Sequence, residues 1–198
     1  EDLSTTVRSV LDHKRKEGLF IGSFARYGYC KDPNAKGKLI IDPEAAEVVR
    51  RIFSMALNGI GTHKITRILN DEKIPSPTAY KQLHGIHYRI ALKNTNAALW
   101  SSPTVYQILH DQVYIGNMVQ GKHKKISYKS EKTIWLPQSQ WIVVENTHEA
   151  IIDKTTWETA QKLRRTIRRG DRNKEPNPLT GLLYCGECGA KMYNERSD

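Results

Sequence analysis

DPEAAEVVRRIFSMALNGIGTHKITRILNDEKIP, residues 42–75, decides the fold. Asp42 stands where a helix wants a capping carboxylate. Pro43 occupies the first helical position, where a missing N–H costs nothing, and Glu44 sits in the first turn. Val48, Val49, Ile52, Phe53 and Ala56 then recur at helical spacing and predict a core face for a helix over Pro43–Asn58. Asn58-Gly59 stops that helix and Gly61-Thr62 opens a second, Thr62–Glu72, with Ile65, Ile68 and Leu69 on its apolar side. Pro75 and Pro77 end it, because proline disfavours helical geometry in the residue before it. The result is a compact helical hairpin of the kind that supports a later helix in a helix-turn-helix module.

Downstream, Trp100-Ser101-Ser102-Pro103-Thr104 predicts a third helix, Pro103–His110, with Ser102 as its cap. Val105, Ile108 and Leu109 face inward, leaving Thr104, Tyr106, Gln107 and His110 outside. Gln pairs bidentately with adenine, and Ser101, Ser102 and Thr104 suit phosphates or base edges. A structural helix also has a polar face, so this reading leans on the charge of the whole chain. A strand pair follows, Val113–Gln120 out and Trp135–Val144 back. Its connecting segment carries Lys122, His123, Lys124, Lys125 and Lys129, a composition expected of a phosphate-gripping arm as well as of a solvated loop. Residues 78–99, with His84, His87, Tyr88 and Leu92, read as a polar loop or short helix.

Upstream, residues 1–18 read as a helix with Leu3, Val7, Val10 and Leu11 near one face and a stop at Gly18. Residues 19–41 are extended and turn-rich, ending in a short strand, Lys38–Ile41. Arg26 and Tyr27, inside Phe24-Ala25-Arg26-Tyr27-Gly28-Tyr29, are candidates for a sugar–phosphate backbone, although the aromatics could equally pack beneath the helices. Cys30 reads as a buried or half-buried thiol. His148-Glu149 could suggest acid–base work, but a turn entering Ala150-Ile151-Ile152 is the plainer interpretation. Near the other end, Asp153–Gly170 predicts a helix capped by Asp153 with cations crowding its end, among them Arg164, Arg165 and Arg168. Residues 171–178 form a polar, Pro-containing linker, and 179–198 hold Cys185-Gly186-Glu187-Cys188-Gly189, the pattern of a zinc knuckle.

The chain has 198 residues, 38% of them hydrophobic, and 31 Lys and Arg against 21 Asp and Glu, for a net charge of +10. That surplus favours a polyanionic partner. No run approaches the length of a membrane span. An odd set of three cysteines, two of them in C-x-x-C spacing, is no disulfide framework and suits a reducing, cytoplasmic setting. Together these features predict an α+β chain: a helical, helix-turn-helix-like body with a small antiparallel hairpin.

The residues resemble the C-terminal DNA-binding part of large serine recombinases, the phage integrases and transposon recombinases. The matching pieces run in order from Gly22-Ser23-Phe24-Ala25-Arg26-Tyr27-Gly28-Tyr29 through Leu39-Ile40-Ile41-Asp42-Pro43-Glu44-Ala45, Arg51-Ile52-Phe53, Ile74-Pro75-Ser76-Pro77 and Tyr114-Ile115-Gly116. They continue to Asn146-Thr147-His148-Glu149-Ala150-Ile151-Ile152 and Leu179–Gly189. The resemblance implies the end of a long linker helix over 1–18, a recombinase domain over 19–170, a linker over 171–178 and the start of a zinc ribbon over 179–198. It implies attachment-site DNA as partner, a serine-bearing catalytic domain elsewhere in the same protein, and a dimer or tetramer. No serine here is then a nucleophile. Cys185 and Cys188 would supply half of a structural zinc site, the other pair being expected beyond Asp198. Two other function classes compete: a metal-dependent enzyme, invited by seven histidines and the cysteine pair but without H-E-x-x-H, and a general or RNA-binding module.

Overall fold

A computed structural model describes residues 3–86, 98–126, 132–165, 183–190 and 192. Six helices and six short strands occur among them: α1 (Leu3–Lys16), β1 (Tyr29–Lys31), β2 (Leu39–Ile41), α2 (Pro43–Leu57), α3 (Thr62–Asp71), α4 (Pro77–Leu83), α5 (Ser102–His110), β3 (Met118–Gln120), β4 (His123–Lys125), β5 (Thr133–Trp135), β6 (Ile142–Val144) and α6 (Lys154–Arg165). The strands form three separate two-stranded antiparallel ribbons, β1–β2, β3–β6 and β4–β5.

Helix α2 is the centre of the core. Asp42 caps it, accepting from the Ala45 amide at 3.5 Å, with Pro43 at its start. Val49, Ile52, Phe53 and Ala56 are buried, joined by Ala45, Ala46 and Met55. Val48, expected in the core, is half-buried. Helices α3, α5 and α6 pack around α2, and α3 also packs along α5. The β1–β2 ribbon meets α2 at Gly28, where φ is +94° and an added Cβ would lie 2.9 Å from Ile151 Cδ1 and 3.2 Å from Val49 Cγ2. Only glycine meets both conditions there.

Helix α5 starts one residue earlier than the sequence suggests. Ser101, not Ser102, is the cap, accepting from the Thr104 amide at 3.4 Å. Ser102 instead donates to Thr62 Oγ1 at 3.0 Å and ties the starts of α3 and α5 together. The polar segment after residue 77 contains α4, whose Tyr80 hydroxyl donates to the Asp42 carboxylate at 2.9 Å. His87, Tyr88 and Leu92 lie outside the described residues.

The long strand pair expected over Val113–Gln120 and Trp135–Val144 does not form. Gln112–Ile115 is a 3-10 turn, led by Asp111 and closed by Gly116 in the left-handed region. Val113 and Tyr114 are both buried, which adjacent residues of a two-faced strand cannot be. The Tyr114 carbonyl accepts from the Ile151 and Ile152 amides at 3.0 and 2.9 Å, so that segment is a docking turn rather than a strand. The return arm is also divided. Pro137 has no N–H to extend a ladder, and the turn at Gln138–Gln140 separates β5 from β6. β3 pairs with β6 and β4 with β5.

Candidate nucleic-acid interface

The sequence candidates divide into three groups. The first converges on Asp111, directly after α5. Its carboxylate accepts from Arg26 Nε at 3.1 Å and lies 3.6 Å from Lys122 Nζ. The Lys122 ammonium also sits over the Trp141 ring, 5.1 Å from its centroid. One turn back on α5, Tyr106 and His110 stack at 4.0 Å with the His110 Nδ1 2.8 Å from the Tyr106 carbonyl. Gln107 is exposed beside them. Arg26 and Lys122, far apart in sequence, are thus gathered by one carboxylate at the end of α5, about a turn beyond Tyr106 and Gln107 on the same helix.

A second group is exposed but apart from that carboxylate. Lys124 and Lys125 stand on β4, and with Lys122 they continue the cationic surface along the β4–β5 ribbon. The third group is engaged in structure. Ser101 Oγ caps α5 and bonds the Thr104 hydroxyl at 2.8 Å; Ser102 is committed to Thr62. Tyr27 is a correction. It is buried, with its ring edge-on to Tyr80 and Trp100 at 5.4 and 5.5 Å, because the turn before β1 carries it under the helices rather than towards solvent. Burial and the nearby Glu44 and Asp42 carboxylates push its phenol well above the usual range.

Arg164 and Arg165 end α6, while Lys129 and Arg168 lie outside the described residues. Helix α3 adds a further polar and cationic face. His63, Lys64 and Arg67 are exposed on the side opposite buried Ile65 and Leu69. The sequence carries the signal, since they fall at i, i+1 and i+4 between the apolar positions, beyond the supporting role the pattern suggests for α3.

Two further expectations resolve locally. His148 is bound at both ring nitrogens, Nε2 to the Val113 carbonyl at 2.8 Å and Nδ1 to Thr147 Oγ1 at 2.7 Å, and its ring meets Tyr29 edge-on. Burial lowers its pKa, with Lys38 acting in the same direction against the Val113 hydrogen bond. It is a strut joining the 147–152 turn to Val113, as the plainer interpretation required. Cys30 is exposed, not buried, since β1 points Tyr29 inward and its neighbour out.

Cys185 and Cys188 lie in a tight turn closed by Gly189 N donating to the Cys185 carbonyl at 3.0 Å and Cys185 N to Ala190 at 2.8 Å. Hydrogen bonds from the Cys188 and Glu187 amides and the Cys188 side chain lower the Cys185 thiol's pKa. Among the described residues no three His, Cys, Asp or Glu side chains gather as a metal site. No described helix is long and apolar enough to cross a membrane.

The architecture is similar to a solved structure described as "Crystal Structure of a LSR-DNA Complex". The TM-score is 0.50 at 18% identity, covering 92% of this chain and 47% of the other. A second, described as "Sequence Requirements of the Listeria innocua prophage attP site", aligns at TM-score 0.48 and 20% identity over 92% of this chain and 62% of the other. The chain thus spans about half the length of the first and under two thirds of the second. At 18% identity the likeness to the first is one of fold. The recombinase family model matches residues 43–166, well over half of the sequence and all of the helical body from α2 to α6, and the chain belongs to the recombinase family.

Proposed function

We propose that this chain binds double-stranded DNA at recombination sites, as the C-terminal DNA-binding part of a large serine recombinase. The observation that carries this reading is the cluster at the end of α5: Arg26 and Lys122 held by Asp111 beside Tyr106, Gln107 and His110. Such a cluster pairs phosphate-binding cations with side chains able to read base edges. The exposed His63, Lys64 and Arg67 on the adjoining α3, and Lys124 and Lys125 on β4, extend it. In this reading strand cleavage belongs to a serine-bearing domain of the same protein, and the residues described here bind and orient the site. Assembly into a dimer or tetramer follows from the same reading.

The cysteine turn fits half of a structural zinc site. A tetrahedral site needs four ligands; Cys185 and Cys188 would supply two, and the amides that lower the Cys185 thiol's pKa favour the thiolate a metal requires.

The test is a titration against attachment-site duplex and random duplex of equal length at two salt concentrations. Preference for the attachment site, with affinity falling by a log–log slope of about −0.9 per phosphate contact, is expected. Equal affinity for both duplexes refutes site recognition, and tighter binding to structured RNA refutes the DNA reading.

A further inference from the structure

We propose that the β4–β5 ribbon enters a groove of duplex DNA, with Trp135 packed on the sugar and base surface and lysines on both ribbon faces directed to the phosphates. This rests on the DNA-binding reading and goes beyond it, since it assigns an apolar, non-phosphate contact to a named residue.

The register fixes which residues share a face. His123 pairs with Trp135, Lys124 with Ile134 and Lys125 with Thr133, and the Ile126 amide continues the ladder to the Lys132 carbonyl at 3.2 Å. Opposed residues lie on one side and alternate pairs on the other. One face therefore carries His123, Trp135, Lys125 and Thr133, the other Lys124, Ile134, Ile126 and Lys132. Each has at least one lysine and one large apolar side chain, and none of the eight residues is acidic.

Those apolar side chains are open to solvent: Trp135 is 75% exposed, Ile126 59% and Ile134 46%. Lysines alone could serve to keep a ribbon edge from pairing with another chain. That role does not account for a tryptophan and two isoleucines at the same place, which would promote association. Lysines on both faces also disfavour a ribbon lying flat along one backbone, where half of them would point away. A groove, with a phosphate track on each side, uses both faces, and the duplex admits a two-stranded ribbon. Trp135 further walls a cleft of about 430 Å3 that is lined by Arg15, Phe20, Arg26, Asp111 and Lys122. The ribbon is thereby contiguous with the Asp111 cluster on the same binding surface.

The test uses the 198-residue chain with Trp135→Ala, Trp135→Phe and the double change Lys124→Gln, Lys125→Gln. Trp135 is exposed on a ribbon outside the helical core, and unchanged melting temperatures check that the variants fold. Titrations of labelled duplex are made at three salt concentrations. Trp135→Ala is expected to weaken binding about tenfold at every salt concentration with an unchanged slope, because apolar burial of the indole is lost and no phosphate contact is. Trp135→Phe, retaining most of the apolar ring area, is expected within about threefold of the parent. The double lysine change is expected to flatten the slope by about 1.8. Emission quenching by acrylamide supplies a second measurement. The Trp135 contribution, taken as parent minus Trp135→Phe, becomes protected when duplex saturates the protein.

Full affinity in Trp135→Ala, or an equally quenchable Trp135 in the complex, overturns the groove contact while leaving DNA binding itself intact. Protection of Trp135 by phosphatidylserine vesicles and not by duplex overturns it in favour of a membrane surface. Failure of the parent to bind any duplex overturns both the contact and the reading on which it rests.

Discussion

The Asn70 side chain grips the Trp100 peptide from both sides: its Oδ1 accepts from the Trp100 amide at 2.8 Å and its Nδ2 donates to the Trp100 carbonyl at 3.1 Å. The Trp100 indole completes the clasp by donating to the Ile74 carbonyl at 3.0 Å. This clasp fixes the chain entering α5 against the end of α3, so it sets where Tyr106 and Gln107 stand. Asn70→Ala leaves the peptide of a buried residue without its partners and should cost about 1–3 kcal/mol in urea unfolding. Asn70→Asp keeps the acceptor for the Trp100 amide but sets a carboxylate oxygen against the Trp100 carbonyl, and should cost at least as much. Equal stability of Asn70→Ala and the parent would show that water replaces the side chain.

Asp111 restrains two cations within a site that we assign to phosphates. Asp111→Asn keeps a side-chain oxygen for the Val113 amide, now 3.4 Å away, but removes the charge facing Arg26 and Lys122. Random-duplex binding should tighten and its salt dependence steepen, since both cations are released to phosphates, while the preference for an attachment site shrinks. Stability should fall by about 1–3 kcal/mol, because the Arg26 pair is solvent-screened but Asp111 and Lys122 are mostly buried and Lys122 loses its charged partner. The check is a parallel salt titration of the two proteins on both duplexes.

His148 predicts an acid-sensitive fold. Its folded pKa is depressed, so the neutral ring stabilises the native state above the unfolded value near 6.5. As pH falls through that value, the unfolded chain takes up a proton that the folded chain resists, and stability declines towards the folded pKa. The melting temperature should therefore drop between about pH 7 and 5. His148→Gln, which keeps hydrogen-bonding capacity without the titration, should show a smaller drop over the same interval. Parallel curves for the two proteins would assign the effect elsewhere.

Gly28→Ala tests the close approach of the β1–β2 ribbon to α2. The substitution strains a residue at φ +94° and forces a methyl to within 2.9 Å of Ile151 Cδ1. A loss of about 1–3 kcal/mol is expected in chemical denaturation. An unaffected midpoint would mean that Ile151 and the strand yield freely.

The helical body was legible because local signals and burial agree along it. Asp42, Pro43 and the period of Val49, Ile52 and Phe53 all specify the same helix, and Asn58-Gly59 marks its end. The Val113–Val144 region was less readable because its apolar residues serve different neighbours. Val113 and Tyr114 turn inward together beneath Asp111, whereas Ile134 and Trp135 point to solvent, so alternation no longer reports a single sheet. Tyr27 shows the same limit for the interface. An aromatic beside Arg26 looks like a backbone contact until the partners Tyr80 and Trp100 arrive from distant segments. Asp111 was invisible as an organiser because its partners, Arg26 and Lys122, come from opposite directions along the chain.

Because the described strands pair as three two-stranded ribbons instead of one continuous sheet, β1–β2 shares no ladder with the other two, which are joined to each other through Gly121 and Lys122 and the Leu136 amide on the Lys122 carbonyl at 3.0 Å. The outer β4–β5 hairpin extends from the β3–β6 ribbon and can therefore vary in length or composition while the helices keep their arrangement. A scaffold divided in this way lets new target preferences arise piecemeal, one projecting finger at a time, without refolding the palm.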